Sequence, residues 1–120
     1  MKILIADDSR VMRSIVLRTL RQAGFEGHDY IEAVDGVDAL AKINGQTPDL
    51  VLSDWNMPNK TGIELLRELR ASGNAVPFGF VTSEGSDDMR AVAERAGALF
   101  VIAKPFTPES FEAALAGVIR

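Results

Sequence analysis

Four places in the chain put chemistry-bearing side chains directly behind short apolar runs. Asp7 and Asp8 follow Ile3-Leu4-Ile5-Ala6, and Asp54 follows Val51-Leu52-Ser53. Thr82 and Ser83 close the run that begins at Val76, and Lys104 follows the run Ala98–Ala103. Taken singly, each has an ordinary explanation, because an aspartate behind a strand usually serves as a turn or cap residue. Recurrence at four run ends calls for a shared one. Clustered carboxylates repel and resist ionising together. A hard divalent cation removes that cost, and Mg²⁺ takes one or two carboxylates, several waters and substrate phosphate oxygens. Asp7, Asp8 and Asp54 supply the carboxylates, and Asn56 can add its backbone carbonyl. Calcium wants more protein oxygens; zinc and copper want His or Cys, and the chain has His 1 and Cys 0.

An ionised carboxylate beside Mg²⁺, facing a hydroxyl and an ammonium, suits phosphoryl transfer onto the carboxylate itself. Asp54 is then the nucleophile, and an aspartyl-phosphate is the product. Mg²⁺ and Lys104 neutralise charge on the transferring oxygens, and Thr82 donates a hydrogen bond to one of them.

The elements that must position these residues follow from periodicity. A strand over residues 2–6 leads to Ser9, a good N-cap. Val11, Met12, Ile15, Val16, Thr19, Leu20 and Ala23 then recur at helical spacing, with Gly24 as the stop. A second strand covers 29–34, and Asp35-Gly36 turns into a helix that ends at Asn44-Gly45. The third strand, 49–54, must stop before Pro58. A third helix carries Ile63, Leu65, Leu66 and Leu69 to Ser72-Gly73, and a fourth strand covers 76–82. The fourth helix runs from Ser86 to Ala96 and stops at Gly97; a fifth strand covers 98–103. Thr107 caps a last helix with Pro108 at its first position and Phe111, Leu115, Val118 and Ile119 on its apolar side. This five-fold β–α alternation predicts an α/β fold, a parallel sheet with right-handed crossovers and helices on both faces. All strand C-termini then share one edge, where open α/β sheets place their chemistry.

The bulk numbers agree with one compact domain spanning 1–120. A hydrophobic share of 47% rules out a disordered tail, and no apolar stretch approaches the ~20 residues of a membrane span. The absence of cysteine is compatible with a reducing cytoplasm. A net charge of -4 disfavours nonspecific nucleic-acid binding.

These residues resemble the response-regulator receiver domains of two-component signalling, over essentially the whole chain. Asp7-Asp8, Asp54-Trp55-Asn56-Met57-Pro58, Thr82 and Lys104-Pro105-Phe106 stand in that family's order and approximate spacing. Asp35-Gly36-Val37-Asp38-Ala39-Leu40 and Gly62-Ile63-Glu64-Leu65-Leu66 match as well, and Asp-Trp-Asn-Met-Pro looks like the stand-alone chemotaxis regulators. The resemblance implies a flavodoxin-like, doubly wound sheet of order 2-1-3-4-5. It implies Asp54 as phosphoacceptor from a histidine kinase and Asp8, Asp7 (through water), Asp54 and Asn56 as the Mg²⁺ site. Thr82 and Lys104 would bind the phosphoryl group, and Lys104-Pro105 would be a cis peptide. It further implies a cytoplasmic monomer whose output face is helix 4, strand 5 and helix 5. That face would dock a protein target such as the flagellar motor switch, and a phosphatase could be a further partner; neither DNA nor membrane is expected. The protein would promote only its own phosphorylation and dephosphorylation and would not be an enzyme in the usual sense.

Departures from the family pattern matter too. Val101 stands three residues before the lysine, where the family usually has Tyr or Phe. Phe100 is adjacent but, on a strand, points to the other face, so it is expected in the core. Gly79, between Phe78 and Phe80, is expected to make room for a bulky neighbour such as Phe100. His28 is expected on the surface, Arg10 and Glu84 near the site mouth, and Trp55 as a reporter beside Asp54. Within the family, a phosphate sink or relay is the alternative output. A phosphatase of the haloacid-dehalogenase type would want a second acid two residues after the nucleophile, where this chain has Asn56, and a cap for which it has no room. An FMN-binding flavodoxin would want a hydroxyl- and Gly-rich phosphate loop after strand 1, where Asp7-Asp8 repel phosphate.

Overall fold

The computed structural model describes residues 1–83 and 85–119, without the Ile119 side chain. The expectations for Glu84 at the site mouth and for Ile119 on the last helix lie outside the described residues. Strands and helices alternate as β1 (Lys2–Ala6), α1 (Arg10–Gln22), β2 (Asp29–Ala33), α2 (Gly36–Gln46) and β3 (Leu50–Ser53). They continue as α3 (Gly62–Ala71), β4 (Phe78–Thr82), α4 (Asp87–Ala96), β5 (Phe100–Ala103) and α5 (Pro108–Ile119). All neighbouring strands are parallel, in the order β2-β1-β3-β4-β5.

The sheet divides the core in two. Leu4, Ala6, Val51, Phe78 and Phe80 face α2, α3 and α4, whose Ile43, Leu66, Leu69 and Ala93 complete that side. Ile3, Ile5, Leu50, Leu52, Val81 and Ile102 face α1 and α5, meeting Val16, Leu20, Phe111 and Leu115. The three central strands are buried on both faces from Ile3 onwards, so they read as continuous apolar runs. The edge strands β2 and β5 are only partly covered.

Helix starts follow their cap residues. Ser9 accepts from Met12 N, Asp35 from Asp38 N, and Ser86 from Met89 N. Thr61 and Glu64 form a reciprocal capping box on α3. Thr107 Oγ1 accepts from Ser110 N at 3.3 Å, the predicted cap of α5.

Some boundaries differ from expectation. α2 runs through Asn44-Gly45 to Gln46 and is capped by Thr47, whose φ of 45° is left-handed. The stop is Pro48, which bars the residue before it from continuing a right-handed helix. β4 begins at Phe78 because Pro77 has no N–H for the ladder; its carbonyl still accepts from Val51 N at 2.9 Å. β5 begins at Phe100, two residues later than predicted. His28, expected on the surface, is partly exposed.

The predicted partnership of Gly79 and Phe100 is present. The two are opposite one another in the β4–β5 register. A Cβ at Gly79 would lie 2.1 Å from Phe100 Cε1, so the ring occupies the space a side chain would need. Phe100, expected in the core, is only partly buried and packs against the α1/α5 side, and Val101, also partly buried, packs against the α2/α3/α4 side.

Candidate functional site

The carboxyl ends of β1, β3, β4 and β5 bring the predicted residues to one rim. One carboxylate oxygen each from Asp7, Asp8 and Asp54 falls within a 4.8 Å cluster. Asp7 is buried, Asp54 partly so, and Asp8 exposed, so the cluster opens to solvent on the Asp8 side. Lys104 Nζ lies 3.1 Å from Asp7 Oδ2 and 3.5 Å from Asp54 Oδ2. The buried Thr82 hydroxyl donates to the Asp54 carboxylate. Ser83, next in line, is exposed.

Each residue is delivered by a local cause. Asp54 N continues the sheet ladder by donating to Ala6 O at 2.9 Å, and Trp55 N donates to Asp54 Oδ1 at 2.7 Å. Ser53 Oγ donates to the Asp54 carbonyl at 2.8 Å. Past Asp54, Met57 is buried in the core, and exposed Asn56 lies between these anchors. Trp55 stacks at 4.7 Å on Phe80, tilted by 37°, which places the reporter ring against the core beside the site. Lys104 N donates to Thr82 O at 2.8 Å, tying the ends of β4 and β5 together. The Lys104–Pro105 peptide is cis, as predicted.

Burial pushes the Asp54 carboxyl pKa up; Lys104 opposes the rise, Asp7 adds to it, and the Trp55 N–H and Thr82 hydroxyl oppose it. The ammonium thus stands in the acidic cluster as a single positive charge against three carboxylates. Oxygen donors without any His or Cys suit a hard divalent ion, so the donor set fits Mg²⁺.

Three contributors were not identified as such in the sequence. Gly62 packs against the loop: a Cβ there would sit 2.2 Å from the Asp54 carbonyl oxygen. Gly36 does the same at the loop's far end, where a Cβ would meet Lys60 O at 2.3 Å. Both belong to motifs quoted for the resemblance, but the need for glycine appears only when the loop is folded between two helix starts. The third is Arg13, buried beneath the Asp7-Asp8 turn with Nη1 donating to Asp7 O at 2.6 Å. The apolar spacing puts Val11 on the inward stripe and leaves Arg13 off it, yet Val11 is 69% exposed and Arg13 is buried. Arg10 is exposed at the start of α1.

Known proteins share this arrangement. The response regulator receiver domain family matches residues 3–116. The chemotaxis protein CheY1 of Helicobacter pylori is 39% identical over 112 residues, covering 91% of this chain and 89% of that protein. The chemotaxis protein CheY of Pseudomonas aeruginosa is 41% identical over 111 residues, covering 91% and 88%. Among solved structures, chemotaxis protein CheY4 of Vibrio cholerae superposes with a TM-score of 0.84 at 34% identity over 98% of both chains. With the strand order, the acidic rim and these similarities together, the chain belongs to the response regulator receiver domain family and is CheY-like.

Proposed function

We propose that this chain is a phosphorylation-dependent signalling switch of a chemotaxis-type two-component system, working in the cytoplasm. The observation that carries this reading is the convergence of Asp7, Asp8 and Asp54 with Lys104 Nζ and the Thr82 hydroxyl on one strand-end rim.

Asp7, Asp8, Asp54 and the Asn56 carbonyl would hold Mg²⁺. When bound, the ion supplies positive charge toward the Asp54 carboxylate and the oxygens of an incoming phosphoryl group. Asp54 attacks the phosphorus of a histidine kinase's phosphohistidine; the P–N bond breaks and the imidazole leaves with its electron pair. Asp54 needs no general base once ionised. Thr82 and Lys104 hydrogen-bond and neutralise the phosphoryl oxygens. The modification adds about -1.5 to -2 charges at Asp54. Thr82 and Lys104 turn toward it, which biases the loop after β4 and the start of α4. Near-complete switching takes roughly 5.5 kcal/mol of differential stabilisation. Output is a changed affinity for a protein target on the α4, β5 and α5 face. The protein processes only its own phosphoryl group and turns over no external substrate.

Trp55 fluorescence tests this. Mg²⁺ changes the signal, and beryllofluoride or a small phosphodonor changes it again only when Mg²⁺ is present. Asp54→Asn removes the second change and the covalent label. Labelling of Asp54→Asn at the unmodified level overturns the assignment, as does multiple turnover of phosphate esters.

A further inference from the structure

Asp7 is fixed at each of its polar groups by a different part of the fold. Its N–H donates to Ala33 O of β2 at 3.1 Å. Its Oδ1 accepts from Ser9 N at 2.9 Å, and its Oδ2 pairs with Lys104 Nζ at 3.1 Å. The remaining group, the carbonyl, accepts from Arg13 Nη1 at 2.6 Å.

Arg13 is on α1 and only 8% exposed. Its Nε donates to Glu32 Oε1 on β2 at 2.9 Å. Burying a guanidinium is costly unless it is paired and hydrogen-bonded. Glu32 offsets the charge, so Arg13 adds little net field at the acidic rim. What it retains is the planar fork, which holds two acceptors in fixed relation in a way that a lysine ammonium does not. One acceptor is the main chain at Asp7 and the other is the neighbouring strand. The same β1–α1 turn carries the exposed Asp8.

We propose that Arg13 is a positioning residue for the metal site, fixing the main chain of the Asp7-Asp8 turn so that both carboxylates face Asp54. It binds no ion and touches no phosphoryl group; it acts through the Asp7 carbonyl. The proposal rests on the reading of Asp7, Asp8 and Asp54 as a Mg²⁺ site. Outer groups that orient metal ligands typically contribute about 10–100-fold in metal affinity. A clamp that merely stabilised the fold would leave affinity unchanged in the folded protein.

The experiment is a Mg²⁺ titration of Trp55 fluorescence in the whole chain, at a temperature where circular dichroism shows every variant folded. Arg13→Ala is expected to weaken Mg²⁺ binding about 10-fold or more. Arg13→Lys, which reaches one acceptor but lacks the fork, falls between that variant and the unmodified protein. Leu20→Ala, which empties part of the core beside the same helix, lowers stability and leaves Mg²⁺ affinity unchanged. A folded Arg13→Ala with unmodified Mg²⁺ affinity overturns the proposal; if that variant does not fold, unmodified affinity in Arg13→Lys overturns it. Loss of affinity in Leu20→Ala equal to that in Arg13→Ala also overturns it. Absence of any Mg²⁺ response in the unmodified protein overturns the metal-site reading itself, a result distinct from a normal response that Arg13 variants leave untouched.

Discussion

The acidic rim and the corner between α4 and β5 are built on opposite plans. At the rim, Asp7 has a partner at every polar group, and the Asp54 loop is pressed between glycines at two helix starts. At the corner, Val101 is only partly buried, and Leu99 is 57% exposed. A groove of about 370 Å³ lies there, lined by Arg90, Ala93, Glu94, Leu99 and Val101 among others. The exposed Arg90 crosses it, donating from Nη1 to Val101 O at 3.0 Å and from Nε to Gly85 O at 3.2 Å. One region is over-determined by buried contacts, and the other is tied by a few solvent-accessible bonds. Segments that change conformation are drawn from the second kind. On the proposed reading, the rigid rim receives charge and the compliant corner expresses it.

The contrast can be broken most severely at Gly62. Alanine ordinarily favours a helix over glycine by about 1 kcal/mol. Here its Cβ meets the Asp54 carbonyl, backbone that cannot yield. Gly62→Ala is expected to destabilise by about 3 kcal/mol in urea unfolding and to reduce phosphodonor labelling of Asp54. The same change at Gly79 meets a side chain, the Phe100 ring, on a partly covered edge strand. A loss of about 1–3 kcal/mol is expected, largely recovered in a Gly79→Ala, Phe100→Leu double variant. Additive losses in that cycle would show that the two positions do not share the space.

Asp54 gives an effect of opposite sign. Its carboxyl pKa is raised by burial, so the native state keeps the proton to higher pH than the unfolded chain does. That contribution to stability is complete below the ordinary carboxyl value and is lost as pH rises through the native one. Asp54→Asn is therefore expected to raise stability at neutral pH without Mg²⁺ by roughly 1 kcal/mol, and to remove this part of the pH dependence. Chemical denaturation at several pH values measures both. The smallest effect belongs to the corner. Arg90→Ala should cost about 0.5–1 kcal/mol and speed amide exchange in β5 and the turn before α4, leaving exchange at β1 and β3 unchanged. Equal acceleration at the rim would erase the contrast.

Much of this was legible in the chain. Apolar runs ending in Asp7, Asp54, Thr82 and Lys104 place the rim because parallel strands share a polarity. Cap residues mark helix starts because they act within one turn. The alternation at Phe100 and Val101 sorts the two side chains to opposite faces, and Gly79 marks the space one of them fills. What escaped depends on distance in the chain. Arg13 and Asp7 are near neighbours, but the guanidinium's second acceptor, Glu32, arrives only with β2. The need for glycine at 36 and 62 arises from where the β3–α3 loop folds back. The end of α2 was misplaced because Asn44-Gly45 looked like a stop, whereas Pro48 acts through the residue before it.

Lys104 has one further consequence, for which ions the rim admits. The ammonium is a counterion on a tether, already between Asp7 and Asp54. A potassium or sodium ion arriving there offers the same single charge, and displacing a resident of equal valence gains little. A divalent ion, with twice the charge, would gain the difference against all three carboxylates. On the proposed reading of the rim as a Mg²⁺ site, the lysine would act as a valence filter, holding the seat against abundant monovalent salt and yielding it to a divalent ion.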